Sequence, residues 1–459
     1  MRTRGSDNMS EVEKGLTILS RRITFGNMLA HRAISVAVLG MLLGPISPAQ
    51  QLAEGSRIRT PEEIREKTRP PLLAPLEVLS WPFHKVSTGM ERGFIAFERH
   101  KIRERASLWT EELRRHGLEA RFGGSGEGAG FGGGGTYTFN AGKSNRLHFL
   151  GLETFKDYQE VGIQWVSATP AGSLIAESSY QWRPDENFYG LGHDSVRDKH
   201  SMFALRQTWA GLRWEYRVKG RVSWGALYRT AWISALPAGN PHFSPPNAFF
   251  SNLSGYGTQT RLESAGIYFD MNGIRSEYQL GGATHFGASY QHGLGGSRLS
   301  YFAYEAQLEG RLPVSRESSA FVGQANFELT RERHDSSAIP FYMLPHIGGS
   351  STLRGFALDR FYGRSLALLS LEYRYRIHPF VQVIPFFDEG QIFDRTADLS
   401  WLNWHRNYGL GFRFRSAAGA TFLRVEYGRS SEGSEIHIVF GDRERPPLLG
   451  PFRYGAYKR

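Results

Sequence analysis

Arg354 stands among small and apolar residues in HIGGSSTLRGF (346–356), directly before Gly355 and Phe356. A guanidinium keeps its charge and presents a planar fork of donors, so in such a loop it calls for carboxylates from elsewhere in the chain. Alternation in SLEYRYR (370–376) sets Glu372 on the face opposite Leu371, Tyr373 and Tyr375, and in FFDEGQIF (386–393) it sets Asp388 on the face opposite Phe387. Other chemistry is thin. His193, Asp194 and Ser195 are contiguous in GLGHDS (190–195), whereas a catalytic triad is defined by convergence in space. There is no G-x-S-x-G and no H-E-x-x-H run. The glycine-rich GGSGEGAGFGGGG (123–135) lacks the Gly-Lys-Ser/Thr of a phosphate loop and leads into TYTFN, which reads as a glycine-rich strand. Cysteine is absent, which removes disulfides, thiolate metal sites and thiol catalysis. The sequence therefore predicts no enzyme, no catalytic group, no metal site and no cofactor.

The elements that must position Arg354 read as strands. After residue 127 apolar and polar residues alternate with a period of two. In 212–218, Leu212, Trp214, Tyr216 and Val218 share one face, and Arg213, Glu215 and Arg217 the other. Val222, Trp224, Ala226 and Tyr228 repeat the pattern, and Phe302, Tyr304, Ala306 and Leu308 oppose Glu305, Gln307, Glu309 and Arg311. About fifteen such strands follow one another, joined by Gly-, Asn- or Pro-rich turns. Aromatics at 13% and 53 glycines suit a β-protein with many turns. A soluble sandwich also alternates, with its apolar face inward, and periodicity alone leaves that alternative open. Strand length, often ten residues or more, and carboxylates and guanidiniums crowding the polar face favour a transmembrane barrel around a wet lumen. A closed barrel leaves no unpaired backbone in lipid.

Ahead of the strands, AISVAVLGMLLG (33–44) is a twelve-residue apolar run behind Arg21, Arg22 and Arg32. It is too short to span a bilayer and reads as a secretory signal over 1–49, of ordinary length if translation starts at Met28. Residues 50–122 are proline-broken, then helical. Ile102, Ala106, Trp109 and Leu113 mark an amphipathic helix over 93–116, with Gly117 as its stop. The barrel is expected over 123–441 and a basic tail over 442–459. The net charge of +11 suits anionic partners. Much of the arginine precedes residue 120, so no nucleic-acid partner is expected.

GGSSTLRGF (348–356), SLEYRYR and FFDEGQIF, in that order and spacing, resemble the outer-membrane protein-assembly superfamily of BamA and TamA type, whose barrel is the bacterial surface antigen domain. NFYGLGHDS (187–195) is similar to a further element of that family. The resemblance implies an all-β fold of about sixteen antiparallel transmembrane strands, with the sixteenth expected between 236 and 292. It implies an inward-folded loop whose tip, Arg354, Gly355 and Phe356, latches onto Glu372 and Asp388. It also implies a weak lateral seam between first and last strands, expected at Gly132, Gly133, Gly134 and Gly135 on one side and Ile436, Ile438 and Phe440 on the other. A tight barrel corner would use glycine as well. No POTRA repeat is evident in 50–122. The implied function is insertion or translocation of unfolded or secreted polypeptides at the bacterial outer membrane, among its lipid and lipopolysaccharide. A passive or gated pore is the alternative.

Overall fold

Alternation becomes regular structure from Leu118 onward. The fold, taken from a computed structural model, is described for residues 112–440 apart from breaks at 124–126, 171, 219–220, 316, 334–335, 401 and 416–420, and for the pairs 448–449 and 452–453. The expected signal peptide, the proline-rich segment and nearly all of the 93–116 helix lie outside the described residues, as does most of the basic tail. The described helical turn is 112–115. It ends at Gly117, whose φ of 77° is the left-handed conformation that glycine adopts without penalty.

Sixteen strands form one antiparallel sheet in which each pairs with the next in the chain. They are β1 (Leu118–Phe122), β2 (Gly132–Asn140), β3 (Asn145–Thr154) and β4 (Gln159–Thr169), then β5 (Gly172–Phe188), β6 (Ser201–Val218), β7 (Val222–Pro237) and β8 (Gln259–Asn272). The second half comprises β9 (Gly281–Gly293), β10 (Ser300–Ser315), β11 (Ser319–Glu332) and β12 (Ser365–His378). It closes with β13 (Val381–Phe393), β14 (His405–Arg415), β15 (Thr421–Ser430) and β16 (Gly433–Phe440). Among the described residues no helix is long and apolar enough to cross a membrane. The strands supply the crossing. Leu212, Trp224, Ile267, Tyr304, Leu371 and Phe387 stand exposed on the outer face, the apolar belt of a barrel in lipid.

The wall is uneven. β5, β6 and β7 have 17, 18 and 16 residues, whereas the edges β1 and β16 have 5 and 8. Among the described residues no backbone ladder joins β1 to β16. The β1–β2 connection nevertheless meets the end of β16 at one corner, where the Phe131 and Phe440 rings pack edge to face at 4.9 Å.

Two expectations are corrected here. Fifteen strands do follow residue 127, but the sixteenth is β1, upstream, rather than a strand hidden between 236 and 292. The barrel thus begins at Leu118, not 123. Consequently Gly132–Gly135 lie in β2, covered on one side by β1 (Gly133 opposite Phe122, Gly135 opposite Ala120) and on the other by β3. The sheet's first edge is Leu118–Phe122. These glycines serve close backbone packing instead: a Cβ at Gly134 would collide with the backbone of Gly151 and Leu152.

The long connection between β11 and β12 folds inward and fills the lumen at one end. Its stretch Ile339–Leu344 packs against Phe188, Phe203, Ile233 and Tyr301 of the wall. Further along, Ile347, Leu353, Phe356 and Phe361 pack on Leu366, Leu368 and Ile392 of β12 and β13. Beneath this apolar layer the lumen turns polar and charged, and there Arg354 points.

Candidate functional site: the lumen latch

The inward loop is held shut at its neck, where His346–Ile347 pairs with Phe361–Tyr362. Gly348 and Gly349, at φ 127° and 98°, turn the chain so that the tip points into the lumen. Thr352 Oγ accepts from the Gly348 amide at 2.7 Å, and Glu127, from the β1–β2 connection, accepts from the Ser351 amide at 3.0 Å and from its hydroxyl.

Alternation places Glu372 on the lumen face of β12 and Asp388 on that of β13, and the Arg354 fork meets both. Its Nε and Nη2 donate to Asp388 Oδ2 and Oδ1 at 2.9 and 2.7 Å, and Nη1 donates to Glu372 Oε1 at 2.7 Å. Arg354 and Asp388 are buried, with 1% and 0% exposure. Such charges are tolerable only when paired and hydrogen-bonded. Burial alone would lower the basicity of Arg354, but the Asp388 and Glu372 charges outweigh it and raise its pKa. Phe356 is buried beside Phe361 and His405, with ring centroids at 5.4 and 5.6 Å. Gly355 lies so close to β14 and β15 that a Cβ there would sit 2.5 Å from the Asn407 Cβ.

Several participants escaped the sequence reading. Ser370 donates to Asp388 Oδ1 at 2.6 Å and receives Arg354 Nη2 at 3.1 Å. Asn407 donates to Asp388 Oδ2 at 3.0 Å, the Phe386 ring lies 3.6 Å from the guanidinium, and Glu426 approaches Arg354 Nη1 to 3.7 Å. Ser370 and Phe386 stand two residues from Glu372 and Asp388, so alternation could have found them. Asn407 needed the β13–β14 register, which pairs it with Asp388. The largest omission is His437 of β16, whose Nε2 donates to the Arg354 carbonyl at 2.9 Å. It ties the loop tip to the last strand.

Of the expected seam residues, Ile436 and Ile438 are exposed on β16, and Phe440 packs against Phe131. Gly132–Gly135 lie in β2, one strand in from the sheet's edge. A second arginine of the loop, Arg360, anchors the same hairpin from the other side. Its Nε and Nη2 grip Glu432, in the β15–β16 turn, at 2.9 and 2.8 Å, and its Nη1 donates to the Ser195 hydroxyl at 2.7 Å. That use of Ser195, and the stacking of His193 on His405 at 3.9 Å, give the HDS run a positional role. Among the described residues no group of His, Asp or Glu is arranged to hold a metal ion.

Comparison with known proteins agrees with this architecture. A family model described as the Omp85 superfamily domain matches residues 265–438, the stretch that contains the loop, both carboxylates and most of the last strand. Among solved structures the chain is similar to BamA from Haemophilus ducreyi lacking POTRA domains 1–3, with a TM-score of 0.55 and 16% identity over 72% of this chain and 70% of that one. Similarity also extends to CdiB from Acinetobacter baumannii (TM-score 0.44, 11% identity, 71% and 59% covered) and to CdiB from Escherichia coli (0.45, 12%, 71% and 62%). No curated protein matches. At 16% identity the likeness to BamA speaks for the fold.

Proposed function

The chain carries an Omp85 superfamily domain in a bacterial outer-membrane β-barrel, and from that premise we propose that it inserts or translocates polypeptides at the outer membrane. Work of this kind needs a place where the wall can part and an internal element that senses or controls the parting. The β1/β16 edge, short on both sides and without a described ladder, suits the first role. Arg354, Glu372 and Asp388 suit the second. The observation that carries the reading is the His437–Arg354 hydrogen bond at 2.9 Å, which makes the loop tip and the last strand one mechanical unit. Motion of β16 away from β1 pulls on the tip, and release of the tip frees β16. Ser351 and Glu127 extend the same coupling to the β1–β2 connection. Outer-membrane lipid and lipopolysaccharide surround the belt, and the clients are unfolded or secreted polypeptides. No covalent chemistry is required of any residue.

Because the chain has no cysteine, the seam can be locked cleanly. Cysteines replacing Ala120 in β1 and Ile438 in β16 would be joined by a bifunctional crosslinker that a reductant cleaves, in cells that depend on the protein. Depletion of specific outer-membrane or secreted proteins, reversed by reductant, is the expected result. Complete crosslinking with no change in any client would reject a moving seam and favour a gated pore.

A further inference from the structure

Away from the apolar end of the lumen, the wall carries a further charged cluster that adjoins the latch and shares Glu372 with it. Arg374 of β12, Arg413 and Arg415 of β14, Arg424 of β15 and Arg311 of β10 line a cavity of about 210 Å3. Strand alternation delivers them all to the lumen face. Arg413 and Arg424 stand directly opposite each other in the β14–β15 register, and like charges so placed repel. The carboxylates lining the same space are Glu277, Glu309 and Glu372, and Glu372 is already shared among Arg354, Arg374 and Arg413. Arg424 is nine-tenths buried, its Nη1 comes no nearer than 3.7 Å to Glu426, and its Nε has no hydrogen-bond partner among the described residues. Arg424 thus brings an unspent donor to the cavity.

Glu277 reaches this cluster from elsewhere. It belongs to the β8–β9 connection, 273–280, although the arginines it meets stand three or more strands from β9 in the sheet order. Joining adjacent strands takes as few as two residues, and here the longer connection turns inward. Glu277 Oε2 accepts from Arg415 Nη1 at 2.9 Å, and its Oε1 lies 4.0 Å from Arg374. Beside it Tyr278 is buried, its hydroxyl accepting from Gln382 and its ring 4.7 Å from the Arg376 guanidinium. Glu277 thus occupies one wall of an arginine cavity, with Tyr278 seated beside it, and both are held by side-chain contacts from strands that are not their neighbours.

We propose that this cavity is a docking site for an acidic segment of polypeptide, and that Glu277–Tyr278 is its built-in occupant, displaced when such a segment enters. Guanidiniums bind carboxylates in parallel paired hydrogen bonds, and the resident Glu277 places a peptide side-chain carboxylate there already. That the segment belongs to a client rests on the proposed function; that the site binds acidic peptide does not.

The test uses the full chain in detergent, with a fluorescein-labelled oligoglutamate peptide followed by anisotropy. Faster migration of the unheated barrel in gels confirms folding of each variant. E277Q should bind the peptide roughly tenfold more tightly than the wild type, since an internal charge-assisted competitor is lost. R415K should weaken binding in part, and R374Q with R415Q should abolish it. An oligolysine peptide should gain nothing from E277Q. Unchanged affinity in E277Q and R415K would overturn the proposal. Equal gains for inorganic phosphate and for the peptide would overturn the polypeptide assignment and leave a small-anion site. This binding is read independently of the seam crosslink, so either reading can fail alone.

Discussion

Arg354 works in three directions at once: its fork grips Asp388 and Glu372, its face rests on Phe386, and its carbonyl receives His437. Lysine keeps the charge but loses the fork and the stacking. R354K should therefore retain part of the barrel's resistance to unfolding, and R354A should lose about 3–5 kcal/mol because the Asp388 carboxylate remains buried without its guanidinium. D388N removes the other half of the pair, and the double variant R354A/D388N should be less unstable than the sum of the two. Urea unfolding of the refolded barrel, followed by tryptophan fluorescence, gives the values for all four variants. Strict additivity would mean that the two groups do not act as a pair. The acceptors at this site were legible in the sequence because SLEYRYR and FFDEGQIF resemble the family's motifs, and alternation agreed by setting Glu372 and Asp388 on the lumen face. His437 was not, because nothing in the pattern says how far across the lumen a loop will reach.

Between elements, close approach matters as much as charge. Gly428 of β15 lies against the loop tip, and a Cβ there would strike the Arg354 carbonyl. G428A changes no charge, yet it should displace the tip and cost about 1–3 kcal/mol, as overpacking does. Limited proteolysis within 346–362 reads the displacement: cleavage should speed up in G428A as in R354A. Protection equal to wild type would show that the tip yields without leaving its seat. Contacts of this kind also explain where the sequence reading slipped. A run of glycines at 132–135 suggests a weak edge when seen alone, but in the sheet it allows β2 to lie tightly between β1 and β3. The true edge, LEARF, is five residues long, too short for alternation to stand out beside the helical pattern that precedes it. The long strands announced themselves through many repeats of the same signal. The inward turn at 273–280 gave none, since its partners come from other strands by tertiary packing alone.

At the scale of the whole molecule, the polarity of the wall is inverted relative to a soluble protein: aromatic and aliphatic side chains point out, and the ion pairs point in. Ile267 shows this clearly, sitting near the middle of β8 and 65% exposed between Ala226 and Ala288. In water, a change at so exposed a position away from any special contact stays within about 0.5 kcal/mol. Facing hydrocarbon, an arginine there costs about 2–4 kcal/mol near the bilayer midplane. Leu402 provides the matched control, because it is 88% exposed but lies in the β13–β14 connection beyond the strands. Refolding into phosphatidylcholine vesicles, scored by the heat-sensitive gel shift, should fall sharply for I267R and remain unchanged for L402R. In detergent, whose looser packing lets a long side chain reach water, the two variants should refold alike. Equal refolding in vesicles would mean that the outer belt does not meet lipid at β8. The seam and the latch would then have to be understood in a barrel seated differently in the membrane.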